Sequence, residues 1–261
     1  MATLKGGAGK TMNTFNIAGI LSEKYKVLLI DADPQCNLST NMAVDVSDPD
    51  LFTIRDIFDT APKDQPAPND VIFEHPISEC QNIDIIPSSI MLFKSEIGLT
   101  SRAKREEILL RYIQKHIERF SEYDYVLIDT NPSMGIINTN AFYLADKIII
   151  SSDVSTNSIN GAELFCSLWD EKRDELEKED NIAALILCNV NMRTTIAKDL
   201  IDYTENAGFS RDIVIDQIIP GTVRLKDTEL NHKPINVLYP SHKICSIYRT
   251  VVDKLFEKGV F

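Results

Sequence analysis

Seven residues near the start of the chain, Lys5-Gly6-Gly7-Ala8-Gly9-Lys10-Thr11, leave it little choice of fold. The three glycines let the backbone turn tightly, with no Cβ between it and a ligand. Converging N–H groups, with the positive end of a helix beginning at Thr11, then form an anion site. Lys10 is spaced to reach the β- and γ-phosphates of a nucleoside triphosphate, and the Thr11 hydroxyl to ligate Mg2+. The general pattern G-x-x-x-x-G-K-[ST] asks for glycine at position 4, where this chain has Leu4; the loop opens instead on a second lysine, Lys5. A chance Gly/Lys turn is the alternative, and the two partner motifs that follow argue against it.

The rest of the chain alternates in a way that suits such a loop. Residues 11–24 read as a helix with Phe15, Ile17, Ala18, Ile20 and Leu21 on its apolar side. Val27–Ile30 is a buried parallel strand running into Asp31-Ala32-Asp33-Pro34-Gln35, carboxylates at its C-terminal edge. Further strands are expected at Ile83–Pro87, Tyr125–Asp129, Lys147–Ser151, Ile182–Leu187 and Ile213–Ile218. Helices are expected at Arg102–Phe120, 136–145, Ile159–Asp180, 195–207 and Lys243–Glu257, and Asp59–Asp70, with its three prolines, reads as a mobile surface loop. Alternation of this length predicts an α/β fold, a mostly parallel twisted sheet flanked by helices on both faces, in one domain over residues 1–261. Only Met1–Leu4 precede the loop, about 13 Å of strand. That is short for a central strand, and residues upstream are expected.

Composition narrows the function classes. No apolar run approaches the roughly 18 residues of a membrane span, and no apolar targeting segment opens the chain. Five dispersed cysteines without a C-x-x-C suit a reducing, cytoplasmic setting and a chain that holds no zinc or iron–sulfur site by itself. The net charge of −12 speaks against a wholly basic nucleic-acid-coating protein. The charge is uneven: residues 193–261 hold 10 basic against 9 acidic side chains, and the preceding 192 hold 17 against 30. A nucleic-acid face therefore belongs in the C-terminal third, and the acidic remainder suits a basic partner. The basic residues of Arg102–Phe120 read as a solvated helix face.

Two carboxylate motifs complete the chemistry. Tyr125-Val126-Leu127-Ile128-Asp129 is an apolar strand ending in an aspartate placed to hold Mg2+ beside Thr11. It continues Thr130-Asn131-Pro132-Ser133. Together with Lys5–Thr11 and Asp31–Gln35, these residues resemble the deviant phosphate loop, D-x-D-P-Q and D-T-x-P-S segments of the ParA/MinD family of dimerising ATPases. Ile218-Ile219-Pro220-Gly221-Thr222-Val223-Arg224-Leu225-Lys226-Asp227, followed by Lys233-Pro234-Ile235, resembles a tail segment of the partition ATPases, with Gly221 in place of the usual arginine.

The resemblance covers nearly the whole chain and implies specific roles. ATP would lie on Lys5, Gly6, Gly7, Ala8, Gly9, Lys10, Thr11 and Met12, its base near Asn189 and Pro220. Mg2+ would be held by Thr11 and Asp129 with support from Asp31, and Asp33 would orient the attacking water. Lys5 would reach the other subunit's phosphates across an ATP-bound homodimer, acting in trans with Lys10 and Asp33 in catalysis. Arg193 and Arg224 match DNA contacts of the partition branch, which implies non-specific duplex DNA, nucleoid association in the ATP state, and a ParB-like centromere-binding adaptor with a basic N-terminal segment. The alternative within the family is a MinD-like, membrane-associated positioning ATPase. The last segment, Val251–Phe261, balances its lysines with Asp253 and Glu257 and reads as a packed helix instead of a membrane anchor.

Overall fold

A computed structural model describes residues 1–190 and 212–261. Its strands are β1 (Val27–Ala32), β2 (Ile83–Ile86), β3 (Tyr125–Thr130), β4 (Ile148–Ser152) and β5 (Ile182–Leu187). β1 pairs in parallel with β2 on one side and β3 on the other, and β4 pairs in parallel with β5. Parallel neighbours need long crossovers, and the helices supply them. The first residues of the chain join the two ladders. Ala2 N–H donates to Ile149 O (2.8 Å) and Ser151 N–H to Ala2 O (3.0 Å) on the β4 side. On the β3 side the Met1 ammonium donates to Ile128 O (2.6 Å) and the Thr130 hydroxyl to Met1 O (2.9 Å). The chain thus enters the glycine loop from the middle of the sheet, between β3 and β4. Ahead of that junction lies an apolar cavity of about 360 Å3, lined by Ile17, Tyr125, Leu127, Phe142, Ile148 and Phe261 among others.

The helices are α1 (Lys10–Leu21), α2 (Asn37–Asn41), α3 (Ile54–Asp59), α4 (Pro68–Val71), α5 (Leu92–Gly98), α6 (Ile108–Lys115), α7 (Ile117–Phe120), α8 (Ile136–Leu144), α9 (Thr156–Glu175), α10 (Val223–Leu230), α11 (Ile235–Leu238) and α12 (Lys243–Glu257). β1 shows why they lie on two faces. Side chains alternate along a strand, so Val27 and Leu29 join one core with Phe15, Leu21, Tyr248, Val251 and Leu255 of α1 and α12. Leu28 and Ile30 join the other, with Ile54, Phe58, Leu109, Tyr112 and Ile137 of α3, α6 and α8. The same alternation turns Asp31 toward the α1 side. No helix among the described residues is long and apolar enough to cross a membrane.

Three expectations are corrected. Arg102–Phe120 is not one helix: a 3-10 turn at Arg105–Glu107 precedes α6, and His116, at φ −120° and ψ 30°, separates α6 from α7. Asp59–Asp70 is tied down by Gln65 to Ile57 O (2.8 Å), Lys115 to Pro62 O (2.8 Å) and Tyr112 to Pro66 O (3.1 Å). Within Ile213–Ile218 the described ladder pairing is a single bridge, Val214 with Leu185. The helix expected at 195–207 lies outside the described residues. Basic residues of the 102–120 stretch pair locally, Arg111 with Glu107 and Arg119 with Glu74 and Glu122, as a solvated face would.

Candidate nucleotide-binding site

Gly7 and Gly9 adopt φ of 79° and 74°, conformations that an L side chain disfavours. At Gly9 a Cβ would also meet Cys188 Sγ at 2.7 Å. Lys10 opens α1, so the free N–H groups of the first turn face the loop. The α1 entrance is braced from two elements, β4 and α12. Asn13 donates to Ser151 Oγ (3.0 Å) and accepts from the Tyr248 hydroxyl (2.8 Å), while Ser151 donates to Ala8 O (2.5 Å).

Asp31 and Asp129 are register partners at the ends of β1 and β3, and both are fully buried. Asp31 accepts from Ser39 N–H (2.8 Å), the Ser39 hydroxyl (2.7 Å) and Asp33 N–H (3.1 Å). Burial, and then the neighbouring Asp129 charge, push Asp31 up to about 7 against those bonds. Burial also raises Asp129, with Lys10 and the Thr11 hydrogen bond pulling the other way. The Thr11 hydroxyl donates to Asp129 Oδ2 at 2.6 Å and the Thr14 hydroxyl to Oδ1 at 3.3 Å. Two buried acids, each raised by burial and Asp31 further by the Asp129 charge, stand beside a hydroxyl at the foot of a phosphate loop and form an oxygen-only donor set. Such a set suits a hard divalent cation such as Mg2+, which would let both acids ionise.

A cavity of about 630 Å3 opens above these groups. Gly6 to Asn13 and Asp33 line one end of it, with Pro132 of the turn after Asp129. Asn189, Gly221, Thr222, Leu225, Lys226 and Glu229 line the other end. Asp33 is buried, with Oδ1 accepting from Gln35 N–H at 2.9 Å. Asn189 sits at φ 56°, and a Cβ at Gly221 would meet its Oδ1 at 2.7 Å. A side chain at residue 221 would therefore require the Asn189 side chain to move. Pro220 itself lines an adjoining cleft with Asp216, His242 and Ile247.

Lys5 stands apart from the cavity: its ammonium reaches Asp153 Oδ2 (2.9 Å) and Ser155 Oγ (2.8 Å). Burial alone would raise the Asp153 acid, but hydrogen bonds from Ser155 and Lys5 outweigh it and hold it at about 2. Arg224 is half exposed, bonded to Asp227 (3.3 Å) and the Tyr239 hydroxyl (3.0 Å), and stacks on the Tyr239 ring. Arg193 lies outside the described residues. Sequence reasoning missed Thr222, Glu229 and Tyr248 at this cavity. Tyr248 arrives from α12, and no local pattern marks it as a neighbour of the loop.

A family model described as an AAA domain matches residues 1–184. The sporulation initiation inhibitor protein Soj of Bacillus subtilis is 27% identical over 98% of this chain and 96% of its own. The chain belongs to the ParA-type family of ATPases. An uncharacterized Mycobacterium tuberculosis protein, Rv1708, is 31% identical over 99% of this ParA-type chain and 78% of its own length. Among solved structures, a McdA–ATP complex from Cyanothece superposes with a TM-score of 0.81 at 22% identity, over 98% of this chain and 94% of that one. Cobyrinic acid a,c-diamide synthase from Mycobacterium smegmatis, with bound ADP and magnesium, reaches 0.77 at 21% identity, over 98% and 92%. At those identities the structures establish the parallel α/β phosphate-loop fold and nothing finer.

Proposed function

We propose that this ATPase is a DNA partition protein: Mg2+-dependent, slow alone, dimeric with ATP, and bound to arbitrary duplex DNA in that state. The observation that carries the reading is the convergence of Thr11 on Asp129, with Asp33 facing the same cavity, at the mouth of a loop headed by Lys5. The match to the chromosome partitioning protein ParA of Myxococcus xanthus, 27% identical over 97% of this chain, supports the partition branch. The McdA–ATP and synthase–ADP–magnesium structures support ATP as substrate and Mg2+ as its cation.

Each residue has a distinct task. N–H groups from Gly6 to Met12 cradle the phosphates, and Lys10 neutralises the β- and γ-groups as charge develops. Thr11 and Asp129, backed by Asp31, would hold Mg2+, which supplies charge neutralisation between the phosphates. Asp33 orients the attacking water, a matter of position more than basicity. Lys5 exchanges Asp153 for the partner subunit's phosphates on dimerisation, so hydrolysis waits for the dimer. Asn189 borders the base, with Pro220 just outside the cavity. Arg193 and Arg224 contact DNA phosphates, doubled in number by the dimer; Arg224 must then leave Asp227. An adaptor with a basic N-terminal segment binds the acidic surface and stimulates hydrolysis.

Burial of Ile244, Tyr248, Val251, Val252 and Leu255 in the core favours DNA over a membrane surface, because α12 has no free apolar face to insert. Light scattering of Asp33→Ala tests the reading: a stable dimer with Mg-ATP and a monomer with Mg-ADP are expected. A monomer in both refutes nucleotide-gated dimerisation, and binding to anionic liposomes in place of DNA favours the membrane reading.

A further inference from the structure

The turn that carries Asp129 into α8 is gripped from two sides, and one grip comes from a residue distant in sequence. Residues 131–135 form a compact knot: Ser133 Oγ donates to Asn131 Oδ1 (2.5 Å) and accepts from Gly135 N–H (3.2 Å). The buried Asn138 amide nitrogen lies within 2.8–3.1 Å of four oxygens of Asn131 and Ser133, so the knot moves with α8. Pro132, inside the knot, lines the nucleotide cavity.

The start of α8 is in turn held by α5. Gly135, at the N-cap, has no side chain to satisfy the first N–H groups of the helix. Glu96 does this instead, its Oε1 accepting from Ile136 N–H and its Oε2 from Ile137 N–H (3.1 Å). A bidentate carboxylate at a helix N-terminus is favoured by charge as well as by hydrogen bonding. A Cβ at residue 135 would overlap that carboxylate, so glycine at this position is matched to Glu96.

We propose that Glu96 is a positioning residue for hydrolysis, setting through α8 and Asn138 where the 131–135 turn and Pro132 stand against the nucleotide. The inference rests on the ATPase reading above, because Pro132 of that turn lines the nucleotide cavity beside the loop residues and Asp33. Glu96 touches no reacting atom. Its loss frees the first turn of α8 and lets the knot shift as a unit, which spoils alignment at the phosphates without removing any group that binds ATP.

The experiment has two arms. In nucleotide-free protein, hydrogen exchange at amides 131–137 is measured for parent, Glu96→Gln, Glu96→Ala and Gly135→Ala. Glu96→Ala and Gly135→Ala should exchange there about five- to tenfold faster, the loss expected for one helix cap, and Glu96→Gln less so. In the second arm, kcat, KM and ATP affinity are compared. Glu96→Ala should lose about fivefold or more in kcat with KM and affinity within twofold, Glu96→Gln should recover part of it, and Glu96→Ala/Gly135→Ala should be no worse than Glu96→Ala. Parental exchange at 131–137 in Glu96→Ala overturns the coupling. Faster exchange with parental kcat makes Glu96 a structural cap only, and that also overturns the proposal. If Glu96→Ala fails to fold, Glu96→Gln and Gly135→Ala decide both arms. A parent that binds and hydrolyses no ATP refutes the ATPase reading, while the exchange arm still decides whether Glu96 holds the turn.

Discussion

The two ends of the cavity, proposed above to take the phosphates at the glycine loop and the base near Asn189, are built differently. At the phosphate end, Asp31 and Asp129 are fixed by β1–β3 register, the loop by glycines in left-handed conformations, and Thr11 by a 2.6 Å bond to Asp129. At the base end, Asn189 and Gly221 adjoin a single bridge, Val190 with Pro220, and the remaining wall is the short helix α10. Ladder geometry makes the phosphate end intolerant of change. The base end is held by that one bridge with its few backbone bonds, from Ile219 to Leu187 and from Gly221 to Val190, and by a short helix.

The largest expected effect is therefore at Lys10. Lys10→Ala should weaken ATP binding by about 30-fold to several-thousandfold, the penalty for removing one partner of a buried charge pair. Titration of a fluorescent ATP analogue checks this, and near-parental affinity would contradict the loop assignment. Next comes Asp33→Ala, which should bind ATP as the parent does yet lose about a hundredfold in kcat, the scale of a misplaced reactant. Single-turnover hydrolysis separates the two steps, and a parental rate removes the water-orienting role.

The buried acids give a pH test of the same end. Asp31 titrates at about 7 in the folded protein, against an ordinary value of 3.8. The folded state therefore holds this proton more tightly than the unfolded one. Its contribution is fully present below about pH 4 and is lost as pH rises through 7. Melting temperature in EDTA should fall over that window, by about 2–4 °C per kcal/mol lost. Asp31→Asn should flatten the slope, and an unchanged slope would locate the titrating group elsewhere. The smallest effect is expected at the base end. Gly221→Ala brings a Cβ against the Asn189 side chain, not against backbone, and should raise KM for ATP by only about two- to fivefold. A loss as large as that of Lys10→Ala would show that the base end is as rigid as the phosphate end.

The same contrast decides what is legible in the amino-acid sequence. β1, β4 and β5 are legible because buried parallel strands are short unbroken apolar runs, β3 because an apolar run leads into Asp129 although its first half is not buried, and α12 because its apolar spacing repeats over four turns. The carboxylates are legible because they end those runs. Short helices such as α2, α5 and α11 carry too few residues for periodicity to show. For α3 a usable signal exists, Thr53 three residues before Asp56, which forms a capping box. Glu96 is invisible because its partners lie 40 and 41 residues away, and nothing in its own neighbourhood requires a carboxylate. The Asp153 grip on Lys5, 148 residues apart, is hidden for the same reason.

The central claim is that nucleotide controls DNA affinity through dimer geometry, in a chain whose net charge of −12 opposes DNA at long range. Local phosphate contacts act within about one Debye length, roughly 8 Å at physiological salt. Fluorescence anisotropy of unrelated duplexes, titrated with the protein in Mg-ATP and in Mg-ADP over a range of salt, measures this directly. With ATP, every sequence should bind alike, with log K falling against log salt at a slope of about −4 to −5, as expected for roughly four to six phosphates neutralised per dimer. With ADP, binding at physiological salt should vanish. Equal binding in the two nucleotides, or none in either, would contradict the claim.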